Sequence, residues 1–364
     1  MRKLIINIGQ EAVVGVVYET SGKSKTLRRV LELPCFDYYN NHGRLDIVRI
    51  VNGINKLLPK DAKGLDIDLI LPSYATDVKY IDAVDDIEKE DKKETVKRFD
   101  EKTVFIGESQ TRKINQVITY SNKEITNIVS VFHREKLNVV RAISSATCYH
   151  NYMALFNQSD SYGGMDFKTH IAMVWGASKV TYIIMLGNLP VEARTSEYSL
   201  TKVYEDISTM GCEIPFYQAL KAMNNFTLST ELDTGILLES RSSMITEGSR
   251  VIELNDSVIG IIKEAFFDYL TNMVQEVRNI YDYTRDRYSA PNANICTNSK
   301  LLDECLCKTY TESFPIEYFG AASKIEIYDN KFQLKSIEEL NEKYVPIIGC
   351  VIEGIKKGSD FYDN

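Results

Sequence analysis

Short apolar runs separated by brief polar turns fill the first part of the chain. Leu4 to Ile8 and Ala12 to Tyr18 read as two strands joined at Gly9, and Ser21-Gly22-Lys23-Ser24 is the turn into a third strand that ends at Leu33. Ile47, Ile50, Val51, Ile54 and Leu57 then recur at helical spacing. The same order returns from His170: a strand, a turn at Gly176, a second strand, the hairpin signal Gly187-Asn188 and a third strand. Leu200, Val203, Tyr204 and Ile207 supply its helix, with Ser199 or Thr201 as the expected N-cap. One unit, a meander of strands followed by a helix, is thus written twice.

The chain between the copies divides further. Gly64 to Pro72 is a loop leading into a buried strand. Thr76 to Ala83 reads as a strand, Asp85 to Phe99 as a highly charged helix, Lys102 to Gly107 and Lys113 to Tyr120 as strands, and Lys123 to Glu135 as a helix. Together these predict a small α+β module inserted over about residues 74–137 of a first lobe, 1–156. The strand from Leu137 and the helix from Ser144 resume that lobe, and the polar stretch 157–169 crosses to a second lobe, 170–364. In the second lobe Val258 to Tyr283 carries one broad apolar stripe, which is core packing. A strand at Ala293 to Cys296, a helix from Ser299 to Tyr310, a strand at Pro315 to Phe319 and a helix from Tyr344 to Lys356 follow. Alternating strands and helices in both halves predict an α/β fold of two related lobes.

Composition narrows the function classes. With 44% hydrophobic residues, 26% charged residues and 8 prolines in 364 residues, the chain is an ordinary folded one of more than one unit. Its 51 acidic against 43 basic side chains repel a phosphate backbone, so nucleic acid is not an expected partner. The seven cysteines are odd in number and scattered, which fits reduced thiols. No metal site is expected, because Cys305 and Cys307 stand without a second close pair and the four histidines lie far apart in sequence. Cys148 and His150 fit buried helix positions. The first residues lack a cleavage signal, and the most apolar stretch, Ile171 to Leu186, contains Lys179 and falls short of the roughly 20 residues a spanning helix needs. Direct membrane insertion is therefore not expected.

Two meanders whose first turns carry Gly9 and Gly176 resemble the actin-like ATPase (ribonuclease H-like) fold, in which such turns face each other across a cleft and offer backbone N–H groups to a nucleotide's phosphates. The inserted module, the segment Leu200 to Met223 and the closing stretch Tyr344 to Lys357 narrow the resemblance to the type IV pilus assembly PilM family, with the cell-division FtsA proteins next in style. If the cleft is functional, the resemblance implies ATP and magnesium held by Gly9, Gln10, Gly176, Ala177, Ser178, Lys221, Asn298 and Ser299. Position by position the nucleotide chemistry weakens. Where the family has Asp-x-Gly, this chain has Asn7-Ile8-Gly9 and Val174-Trp175-Gly176, so both carboxylates that anchor magnesium are replaced. Glu11 places a carboxylate beside the first turn, and Cys296-Thr297-Asn298 stands where the family has a glycine run near the adenine. Lys221 retains the family's lysine, Ser178 and Thr181 keep hydroxyls, and Trp175 is positioned to fill nucleotide space. Gly9 and Gly176 can equally be plain hairpin turns. No catalytic residue and no bound cofactor are therefore expected.

The resemblance further implies a cytosolic adaptor of the pilus inner-membrane platform, peripheral to the membrane through a PilN-like partner whose short tail enters a groove between the module and the first lobe. An extended tail gains main-chain hydrogen bonds beside an exposed strand. Val78, Tyr80 and Ile81 mark the expected edge, the charged stretch from Asp85 reads as a solvated face, and self-association is a further expectation. The alternative is an active ATP-binding actin-like ATPase of the pilus or FtsA type. The acidic ending Gly358 to Asn364 differs from an amphipathic membrane-targeting helix, and a sugar-kinase reading lacks both the cleft acid and the glycine-rich adenosine turn.

Overall fold

The computed structural model describes residues 2–21, 24–82, 99–108, 113–159, 169–196, 198–231, 235–247, 250–289, 293–297, 316–318 and 342–351. The first meander forms as the apolar runs predict: β1 (Arg2–Ile8), β2 (Ala12–Ser21) and β3 (Ser24–Pro34), followed by α1 (Ile47–Leu57) and β4 (Ile67–Leu71). The inserted strands are β5 (Thr76–Asp82), β6 (Asp100–Glu108) and β7 (Lys113–Tyr120). Then come α2 (Asn122–Arg134), β8 (Val139–Ser144) and α3 (Ser145–Ser159). The first-lobe sheet has the order β3-β2-β1-β4-β8, with β1 parallel to β4 and β4 parallel to β8. Its central strands are apolar on both faces because helices cover both. Leu4, Ile6 and Ile8 share a core with Ile50 and Ile54 of α1, while Ile5 between them meets Cys148 on the opposite side.

The second lobe repeats the plan with β9 (Thr169–Trp175), β10 (Val180–Leu186), β11 (Leu189–Ser196), α4 (Leu200–Thr209) and α5 (Phe216–Asn224). Two hairpins absent from the sequence reading, β12 (Phe226–Glu231) with β13 (Gly235–Ser240) and β14 (Met244–Glu247) with β15 (Arg250–Glu253), precede α6 (Asp256–Tyr288). β16 (Ala293–Thr297) and β17 (Ile316–Tyr318) complete the sheet order β11-β10-β9-β16-β17, the counterpart of the first. α6 runs for 33 residues because Asn255 Oδ1 caps it, accepting from Val258 N at 2.9 Å, and its stripe stays buried from Ile262 to Thr284. At α4 Ser199 does hold the N-cap position, but its hydroxyl pairs with Thr201 Oγ1 at 2.7 Å and leaves the helix backbone uncapped by that side chain. The helix expected over 299–310, and that over 85–99 except for its last residue, Phe99, lie outside the described residues.

Three expected boundaries change. α2 belongs to the first-lobe core, since Ile125, Ile128, Val129 and Phe132 are buried with Ile54 and Leu69; the described part of the insert is the antiparallel sheet β5-β7-β6 alone. The crossing begins later than residue 157, because α3 continues to Ser159. The second lobe does not take in every described residue from 170 onward. The last described helix, α7 (Val345–Val351), returns to the first lobe, where Tyr344, Ile347 and Cys350 pack with Ile5, Val14 and Ile143. α3 is shared: Cys148 faces the first sheet, and Tyr149 and Met153 join Ala172 and Ile183 of the second.

Candidate functional site

The Gly9 and Gly176 turns come together at the junction of the lobes, as their places in the two meanders require. Each glycine N–H closes its own turn, Gly9 to the Ala12 carbonyl at 3.2 Å and Gly176 to the Lys179 carbonyl at 2.9 Å. A Cβ on Gly176 would stand 2.8 Å from the Lys179 carbonyl oxygen of its own turn and 2.6 Å from Ser73 Oγ of the first lobe, and the backbone contact alone favours glycine there. Tight closure of their own turns accounts for both glycines without a phosphate, since a Cβ on Gly9 would likewise stand 2.8 Å from the Ala12 carbonyl oxygen.

The flanking side chains are likewise occupied by protein. Asn7 is buried, with Nδ2 donating to the Lys343 carbonyl at 3.3 Å. Trp175, also buried, donates from Nε1 to the Tyr269 hydroxyl at 2.5 Å. Lys221, expected to face a nucleotide, instead pairs across the lobes with Asp37 and donates to the Thr246 carbonyl. Lys179 makes a second inter-lobe tie to Asp77 and the Thr76 carbonyl. Ala177 is buried, and its carbonyl accepts from Thr201 N at 3.1 Å. Gln10 Oε1 and Ser178 Oγ are buried without a hydrogen-bond partner among the described residues. Asn298 and Ser299 lie outside the described residues.

Two cavities remain between the turns. One of about 40 Å³ is lined by Asn7, Gly9, Gln10, Trp175 and Lys343 among others, and one of about 20 Å³ by Gln10, Tyr39, Leu45, Tyr74 and Ser178. A nucleotide-sized ligand needs at least roughly 300 Å³. Trp175 thus closes one cavity wall opposite Gly9, and the residues present do not fit Mg-ATP in this arrangement. Among the described residues no three His, Cys, Asp or Glu side chains gather as a metal site. Burial pushes the Cys35 thiol up to about 12 and raises the Tyr39 hydroxyl well above its ordinary value, so neither is a nucleophile at neutral pH.

The strand expected to receive the tail is largely covered on its apolar face. β5 does stand at one side of its sheet, but Val78 and Tyr80 are buried against Ala146 and Tyr149 of α3 and share a core with Ile183 and Val191 of the second lobe, and Ile81 is half-buried. Tyr80 is held there by a polar seam: its hydroxyl meets His150 Nδ1 at 2.9 Å and accepts from Gln116 Nε2 at 3.3 Å.

The open concavity lies elsewhere on the first lobe. A groove of about 450 Å³ runs between the loop from Asn40 to Ile47 and the start of α2, with Leu45, Tyr74 and Ile128 as apolar floor and Lys123, Glu124 and Asn127 as polar rim. Arg44 crosses it, pairing with Glu124 at 3.4 Å and lying 5.8 Å above the Tyr74 ring centroid. No linear motif announces this groove. Its one trace in the sequence is the polar flank of α2 beside the apolar stripe, a pattern indistinguishable from solvated surface.

No family model and no curated protein sequence matches the chain. Solved structures do. The duplicated sheets and shared helix define an actin-like ATPase fold. In particular, the chain superposes on a structure of the PilM-PilN type IV pilus biogenesis complex with a TM-score of 0.62 at 11% identity, covering 96% of this chain and 97% of that one. MreB 5 of Spiroplasma citri bound to AMPPNP matches with a TM-score of 0.44 at 10% identity over 96% and 95% of the two chains. The ethanolamine utilization protein EutJ of Carboxydothermus hydrogenoformans gives 0.40 at 10% identity over 87% and 85%. The chain therefore shares its fold with the structure of the PilM-PilN complex. Among the described residues no helix is long and apolar enough to cross a membrane.

Proposed function

We propose that the protein is a PilM-like adaptor of a type IV pilus inner-membrane platform, binding the short cytoplasmic tail of a PilN-like membrane protein while its nucleotide cleft has lost function. One observation carries the reading: the cleft between the glycine turns is filled by protein, and the roomy concavity is the groove beside α2. Its dimensions suit an extended segment of a few residues, with apolar side chains on Leu45 and Ile128 and main-chain amides meeting Asn127 and Asn40. Such an adaptor works in the cytoplasm at the membrane surface, anchored only through its partner. On this reading it needs no ATP and hydrolyses none: of the two former acid positions, Asn7 is bonded to a protein carbonyl and Val174 is a buried apolar side chain, while Trp175 beside it is bonded to Tyr269.

Fluorescence polarisation with labelled peptides, made from the cytoplasmic tails of single-span membrane proteins of the same cell, tests the groove. At least one tail is expected to bind saturably, and Asn127→Arg, an exposed change that narrows the groove, is expected to weaken it by tenfold or about 1.4 kcal/mol. Equal binding by the variant, or no binding tail, overturns the assignment. Saturable heat with Mg-ATP in calorimetry would instead restore the ATPase reading.

A further inference from the structure

The segment from Cys35 to Asp46 is one wall with two faces. It holds together internally: Tyr39 and Leu45 bridge, and Asn40 Oδ1 accepts from His42 N at 2.9 Å and Arg44 N at 3.1 Å. Toward the second lobe, Asn41 Oδ1 accepts from Phe216 N at 3.1 Å, capping α5 from across the junction. The Tyr39 ring meets Phe216 edge-on at 5.8 Å, and its hydroxyl donates to the Gln10 carbonyl at 2.9 Å. Asp37 takes the Lys221 ammonium. Gly43, at φ 66°, lies so near α4 that a Cβ would come 2.1 Å from Thr201 Cγ2. Toward the groove the same wall presents Leu45 and Arg44, and Leu45 and Tyr74 line both the groove of about 450 Å³ and the junction cavity of about 20 Å³.

We infer that this wall couples the groove to the junction of the lobes, so that a segment seated in the groove tightens the clamp between them, and loss of the clamp loosens the groove. The wall cannot retreat from a groove occupant, because α4 already touches Gly43 and close-packed interiors do not compress. An occupant resting on Leu45 and Arg44 therefore binds best to the wall in its clamped position. By linkage, whatever holds the wall for the occupant is held by the occupant in return. The inference borrows only the nature of that occupant from the proposed tail binding.

NMR-detected hydrogen exchange on the full chain tests the coupling without any tail, so its failure would leave the groove assignment standing. Lys221→Met, a change in the second lobe, is expected to speed exchange of the His42 and Arg44 amides at the groove wall roughly tenfold, within the usual range of coupling between sites. Arg44→Ala, a change of an exposed groove residue, is expected to speed exchange of the Phe216 amide in the second lobe to a similar degree. Amides of β1 and β4 stay at wild-type rates in both, and Lys221→Arg stays near wild type throughout. Changes confined in each variant to its own side of the wall overturn the coupling. If Lys221→Met accelerates β1 and β4 as well, its effect is global, and the Arg44→Ala arm alone decides.

Discussion

Lys221 of the second lobe and Asp37 of the first are an ion pair across the junction of the two lobes. The lysine side chain is mostly buried and the aspartate is 37% exposed, so part of the attraction is screened. The pair also fixes the lysine on the Thr246 carbonyl, which anchors the β14–β15 hairpin to α5.

Removal of the lysine charge by Lys221→Met is therefore expected to lower stability by about 1 kcal/mol, and Asp37→Asn by no more, since its carboxylate already meets water. Urea unfolding measures both. A double variant that costs as much as the two singles added together would mean that the two side chains do not interact.

His150 gives a pH dependence with a definite sign. Burial pushes its pKa down to about 3, against about 6.5 for an unfolded histidine, so the folded protein keeps it neutral beside the Tyr80 hydroxyl. Between these values the unfolded chain takes a proton that the folded one refuses. Stability falls as pH drops through that window, by up to about 1.4 kcal/mol per unit, and the group contributes no slope above it. His150→Gln removes the titration. Urea midpoints at about pH 7 and about pH 5 should converge in this variant relative to wild type, and an unaltered difference would refute the assignment.

How far the sequence carries this picture depends on what each pattern encodes. Leu4 to Ile8 and Ile171 to Val174 flank glycine turns and are apolar but for Asn7, which is the mark of strands covered on both faces, and the duplicated lobes follow from them. The stripe of α2, from Ile125 to Phe132, reveals an apolar face but not which sheet it covers, so its place in the chain points to the insert while its packing puts it in the lobe. Val78 and Tyr80 alternate with polar neighbours as a half-buried strand should; that their buried face meets α3 and the second lobe is a long-range fact no local pattern holds. The replaced acids at Asn7 and Val174 are visible because turn glycines index them. The groove is not, because its two sides, at Leu45 and Ile128, are separated by the whole inserted sheet.

Asp68 on β4 lies between Lys3 Nζ at 3.3 Å and Arg141 Nη2 at 2.9 Å, with 6% of its side chain exposed, while Arg141 also reaches Cys350 Sγ of α7 at 3.4 Å. Asp68→Ala leaves two cations facing each other in a partly buried site and is expected to cost about 3 kcal/mol. Lys3→Ala removes only the more exposed partner and should cost about 1 kcal/mol. Chemical denaturation ranks the two, and a reversed order would contradict the geometry.

Two helical glycines should respond in opposite directions to the same change. Gly349 lets α7 rest on α3: a Cβ there would stand 1.8 Å from the Cys148 carbonyl oxygen, a backbone atom that cannot rotate away. Gly349→Ala must therefore push α7 off the first-lobe sheet, with Ile347 and Cys350 on it, and is expected to cost about 3 kcal/mol or more. Gly260 sits inside α6 with nothing among the described residues within 4 Å of where a methyl group would stand, so Gly260→Ala gains helix propensity without a clash and should add about 0.5–1 kcal/mol. Thermal melts of the two variants against wild type give the comparison. A tolerated Gly349→Ala would mean that α7 does not lie against α3, and with it the return of the chain to the first lobe would fall.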